Sequence, residues 1–96
     1  MNQTLSYIPL CSDPHSVDIG VVPRRKIQLN LKSLEVAVQA SESYSTIVAS
    51  PSLLRIRHSE GAEITIKRDG RMVVRKARDE AQVRRLATEL LTLSGI

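Results

Sequence analysis

Residues 62–76 read AEITIKRDGRMVVRK. Two alternating runs, AEITIKR and RMVVRK, flank Asp69-Gly70. Asp-Gly between such runs is a strong hairpin signal, because both central residues of a type I′ turn need positive φ. Period-two alternation puts Ile64, Ile66, Met72 and Val74 on one face. Thr65, Lys67, Arg71, Val73 and Arg75 share the other.

The aliphatic face needs a cover, and the next segment supplies one. Asp79 is placed to cap a helix running to about Leu93, with Glu80 adding negative charge to its first turn. Val83, Leu86, Ala87, Leu90 and Leu91 form its apolar stripe. Arg84, Arg85, Thr88 and Glu89 lie away from it. Each side chain buried between stripe and sheet contributes about 1.5–3 kcal/mol before entropy is subtracted. The fold class this implies is α+β: an antiparallel sheet with a long C-terminal helix packed on one face.

Upstream, LLRIR (53–57) alternates too, with Leu54 and Ile56 facing one way and Leu53, Arg55 and Arg57 the other. The run His58-Ser59-Glu60-Gly61 reads as a turn. KIQLNLKSLEVAVQA (26–40) is ambiguous. It is either two strand pieces joined by a bulge near Lys32-Ser33, or a strand to Leu31 followed by a helix capped by Ser33. Its β-branched content tips it toward strand. Residues 1–24 read as an N-terminal arm, cut up by Pro9, Pro14, Gly20 and Pro23, with an edge strand as one option around Ile19–Val22. Residues 25–96 are then a single domain.

A chain of 96 residues holds one core. Aromatic content is the unusual quantity: no Phe, no Trp, and only Tyr7 and Tyr44. Stacking on bases, the usual device of single-strand readers, has almost no raw material. Net charge is +4, and the whole excess lies beyond Pro51, where ten basic residues face six acidic ones. Such a surface suits an acidic partner, or serves only solubility. Cys11 is the single cysteine, so no internal disulfide forms and a reducing, cytoplasmic compartment is expected. No apolar run approaches a membrane span, and no leader pattern opens the chain.

Little in the sequence carries chemistry. Cys11 and His15 flank Asp13, but a zinc site needs about four ligands, and His58 is the only other histidine. Phosphate-binding glycine loops and nucleophile motifs are missing. No catalytic residues, no metal and no cofactor are expected, and the chain reads as a non-enzyme.

The constellation that remains is basic. If the helix covers the Ile64/Ile66 side, Arg55, Arg57, Lys67, Arg71 and Arg75 project from the other, with no acidic residue expected among them. Cations repeated on neighbouring strands can meet a phosphate backbone. They can equally be the solvated face that antiparallel sheets commonly present.

Residues 51–93 resemble half of a TATA-box-binding-protein repeat. PSLLRIR stands for the segment leading into the paired strands, Asp69-Gly70-Arg71 for the turn, and Ala77-Arg78 for the link to the long helix. The resemblance implies a curved antiparallel sheet with helices on one face and a nucleic-acid-binding role. It also implies two copies, because one repeat is half a saddle. Two positions depart from the family: Lys67 stands where an inserting Phe belongs, and Arg75 where a small Thr reads the groove. The order of strands and final helix also resembles the small dimerising subunit of the KEOPS tRNA-modification complex. The expected function is therefore a non-catalytic module, a homodimer, whose basic sheet face contacts nucleic acid. The alternative is an accessory subunit docking on a partner protein.

Overall fold

The structure is a computed structural model that describes residues 5–12, 15–25 and 27–94. Six strands and two helices follow in the order β1 (Leu5–Ser12), β2 (Val17–Pro23), α1 (Leu31–Ala40), β3 (Tyr44–Ala49), β4 (Leu53–His58), β5 (Glu63–Lys67), β6 (Met72–Ala77) and α2 (Glu80–Leu93). The strands form one antiparallel sheet in the order β1-β2-β6-β5-β4-β3. After the β1–β2 hairpin, α1 carries the chain over the sheet to its far edge. The meander β3–β6 then returns to pair with β2.

The α+β class expected from the sequence is what the chain adopts, with α2 packed on the sheet. Cross-strand registers define two rows of side chains beneath the helices. One runs Tyr7–Val21–Met72–Ile66–Leu54–Ala49, the other Pro9–Ile19–Val74–Ile64–Ile56–Thr46. Ile64, Ile66, Val74, Val21 and Ile56 are fully buried, as are Val83, Leu86, Ala87 and Leu90 of α2. The predicted stripe is thus the one that seals the core. Asp79 caps α2 as expected, its side chain accepting from the Gln82 N–H at 2.8 Å.

Three local readings change. The segment read as an arm contributes β1 and β2, and β2 is an interior strand (Ile19 and Val21 are buried). Residues 31–40 are helical, because Leu31, Leu34 and Val38 recur at helical spacing and all three bury. Burial of that stripe outweighs β-propensity. The cap is Asn30, whose side chain accepts from the Ser33 N–H at 3.1 Å; residues 27–30 form no strand.

Finally, the Asp69-Gly70 hairpin closes through three residues. The Gly70 N–H donates to the Lys67 carbonyl at 3.0 Å and the Lys67 N–H to the Arg71 carbonyl at 2.9 Å. Only Gly70 has positive φ, +89°. This is a tight turn followed by a left-handed residue, the three-residue alternative to type I′. Its packing enforces glycine: a Cβ on Gly70 would strike the side chains of Ile27 and Pro23.

Candidate nucleic-acid interface

Both helices lie on one face, so the other face of the sheet is uncovered. Its rows follow from the same registers. One is Ile8–Gly20–Val73–Thr65–Arg55–Val48, and the next is Ser45–Arg57–Glu63–Arg75. Lys67 stands opposite Leu53 at the hairpin end. Arg55, Arg57, Lys67 and Arg75 therefore share the uncovered face, and Arg71 joins them at the mouth of the hairpin.

The expectation of a face without acidic residues is corrected by Glu63. It sits in register between Arg57 and Arg75. Its carboxylate lies 3.0 Å from Arg55 Nη2, 3.9 Å from Arg57 Nη2 and 3.1 Å from Lys76 Nζ. Those side chains roof it, so Glu63 is only 8% exposed on a face that no helix covers. Hydrogen bonds from Lys76 and Arg55 hold its carboxyl below the usual carboxylate range; desolvation opposes them, and the charges of Lys76 and Arg57 add to them. Period-two alternation extended back from Thr65 and Lys67 reaches Glu63, a signal the sequence reading passed over.

Lys76 was not. Alternation would place it on the helix side. Its φ of +59° breaks that pattern, and Asp18 Oδ1 accepts its N–H at 3.0 Å. The side chain thereby reaches the uncovered face while Ala77 turns inward and is buried.

The five expected contact residues consequently fall into two groups. Arg55 and Arg57 are tied to Glu63. Arg71 makes an exposed pair with Asp69 at 3.4 Å, and Lys67 and Arg75 enter no ion pair among the described residues. Around α2 the described cations are matched: Arg78 with Asp79, Arg84 with Glu80 and Arg85 with Glu60. Arg84 also lies over the Tyr7 ring, 4.3 Å from its centroid. Among the described residues the surplus positive charge gathers around the hairpin tip, where Arg24, Lys32, Lys67, Arg68 and Arg71 share the grooves and turn with two carboxylates, Asp69 and Glu35.

Apolar groups flank the cations. Of the five exposed large hydrophobic residues among those described, Ile8, Leu10 and Val48 lie on this face, and Ile47 occupies the β3 bulge beside Val48. The fifth, Val36, is on α1.

The remaining chemistry-bearing residues are placed as follows. His58 is buried, edge-on to Tyr44 with ring centroids 5.0 Å apart. Its Nδ1 accepts from the Glu60 N–H at 3.1 Å, so it serves packing and the turn. The Cys11–Asp13–His15 group falls in part outside the described residues, which exclude Asp13 and the Cys11 side chain. Among the described residues no helix is long and apolar enough to cross a membrane.

No family model matches this chain, and neither a curated protein nor a solved structure matches it.

Proposed function

We propose that this chain is a non-catalytic module that binds nucleic acid through the hairpin half of its uncovered sheet face. Lys67 and Arg71 at the tip and Arg75 opposite Glu63 contact phosphates, while Arg55 and Arg57 are held by Glu63. The observation that carries this reading is the concentration of surplus cations around the hairpin tip, on and beside a sheet face free of helices. Phosphate contacts of this kind set affinity and orientation, not sequence choice. The resemblance of residues 51–93 to half a TATA-box-binding-protein repeat points the same way. A second copy laid face to face would set one cation band on another, so the homodimer in this reading joins away from that face and extends the basic surface.

The test is retention of duplex DNA across a salt series. Wild type should bind with a steep salt dependence, and Lys67→Ala or Arg75→Ala should each lower the slope by about one. Absence of retention at low salt, or slopes that ignore both substitutions, would reject the proposal.

One observation favours a second reading, an accessory subunit docked on protein: Ile8, Leu10, Ile47 and Val48 are exposed at the two margins of the face. In that case nucleic acid is not retained, and Leu10→Glu relieves self-association of the isolated chain.

A further inference from the structure

Beside the hairpin tip is a groove of about 670 Å³. Its floor is apolar, made by Leu29, Leu31 and Leu54, and one wall is the β3–β4 turn at Ser50-Pro51. The opposite wall is fastened to the hairpin, since the Leu29 N–H donates to the Arg68 carbonyl at 2.7 Å. Two cations, Lys32 and Arg68, stand on the rim; among the described residues neither has an ion pair. Glu35 is the one carboxylate present, and its Oε2 accepts from Gln39 at 3.2 Å. A neighbouring groove of about 600 Å³, containing Arg24 and Arg71, shares Gln28 with the first. Together they make a basic path from the sheet face, around the hairpin tip, to a concave end.

We infer that this groove receives one unpaired nucleotide at the end of a bound strand, with Lys32 and Arg68 on its phosphate and the leucine floor under its sugar and base. The inference rests on the nucleic-acid reading above and sharpens it. The physical grounds are size and charge. The volume falls within the range of small-ligand sites, about 300–1,000 Å³. A cation pair over an apolar floor matches a phosphate attached to a flat, weakly polar ring. The sheet face has no aromatic side chain for an unpaired base, so a base leaving a duplex finds apolar contact in the groove and not along the strands. Paired bases remain in their stack and cannot enter.

The experiment compares a blunt DNA duplex with the same duplex carrying a short single-stranded overhang, for the wild type and for Lys32→Ala/Arg68→Ala. Both side chains are on the surface, and far-UV circular dichroism checks that the variant folds. Wild type should prefer the overhang by about five- to tenfold at moderate salt, the yield of two added phosphate contacts. The double variant should bind the two duplexes alike, whatever affinity for the blunt duplex it loses with the two charges. Equal binding of the two duplexes by wild type would overturn the inference and leave the nucleic-acid reading standing, as would a preference the double variant retains. Failure to bind either duplex would remove both.

Discussion

Lys76 reaches Glu63 from a left-handed backbone conformation: its φ is +59°, and its Nζ lies 3.1 Å from Glu63 Oε2. Strict alternation along β6 would send this ammonium group toward the helices, where an unpaired charge is costly to bury. The irregular step also brings Ala77 into the core. Asp18 holds the step in place by accepting the Lys76 N–H. A local departure from strand geometry therefore does two jobs, closing the core at the end of β6 and completing the cluster around Glu63.

Replacing Lys76 separates those jobs. Lys76→Ala keeps the strained φ and loses the ion pair, a weak interaction at a side chain this exposed. Lys76→Gly loses the same pair but sheds the left-handed penalty, about 1–2 kcal/mol. Urea denaturation should find Lys76→Gly more stable than Lys76→Ala by about 1 kcal/mol. This reverses the usual order of Gly and Ala within strands. Finding Ala the more stable would show that the backbone there is not strained.

The two left-handed glycines make a second contrast. Gly61 has φ +106° and open space where a Cβ would go. Gly61→Ala should cost only the conformational penalty, about 1 kcal/mol. Gly70 shares the positive φ and in addition packs against Ile27 and Pro23. Gly70→Ala should cost about 2–4 kcal/mol, the sum of backbone strain and overpacking. Adding Ile27→Ala should recover part of it, as a double-mutant cycle would report. Equal costs at Gly61 and Gly70 would exclude the packing contribution.

The contrast bears on what could be read before the structure was known. The hairpin, the α2 stripe and the Asp79 cap were legible because each is a local pattern whose buried partner lies nearby in sequence. The turn type was not, because Pro23 and Ile27, more than forty positions away, decide how Gly70 packs. For α1, local propensity pointed to strand and a tertiary contact decided otherwise: Leu31, Leu34 and Val38 gain more from burial on the sheet than β-branching costs in a helix. On the candidate site, alternation assigned Arg55, Arg57, Lys67 and Arg75 to the correct face. The same alternation, carried back two residues from Thr65, reaches Glu63, which the expectation of a face without acidic residues overlooked, whereas Lys76 required a positive φ that no residue type announced.

Tyr44 ties the far edge of the sheet to α2. Its hydroxyl donates to Glu89 Oε1 at 2.7 Å. Burial first, then the hydrogen bond to Glu89 and that carboxylate's negative charge, push the phenol well above its ordinary range, with Arg85 opposing. Tyr44→Phe should destabilise by about 0.5–1.5 kcal/mol at neutral pH. The sign in alkali follows from the raised folded value. The folded state holds the phenolic proton more tightly, so this stabilisation is complete below about pH 10, the unfolded value, and declines as pH rises further. Wild type should therefore lose stability relative to Tyr44→Phe between about pH 9 and 11, measured by urea denaturation at both values. A stability difference that does not change with pH would mean that the phenol titrates alike in both states.

Glu63→Gln tests the central electrostatic arrangement from both sides. The carboxylate is held low by Lys76 and Arg55, so its stabilising effect is present above the unfolded carboxyl value, about 4.3, and fades as pH falls through the lower folded value. The variant should be less stable than wild type at pH 7, and the gap should narrow on acidification toward pH 3. Binding should move the other way. Removing one negative charge from the middle of the face releases Arg55 and Arg57 from their intramolecular partner. DNA affinity at moderate salt should then rise, and the salt slope should steepen by about one to two. A variant that is destabilised but binds DNA no better would show that Arg55 and Arg57 do not face phosphate. The contact surface would then shrink to Lys67 and Arg71 at the hairpin end and Arg75 opposite Glu63.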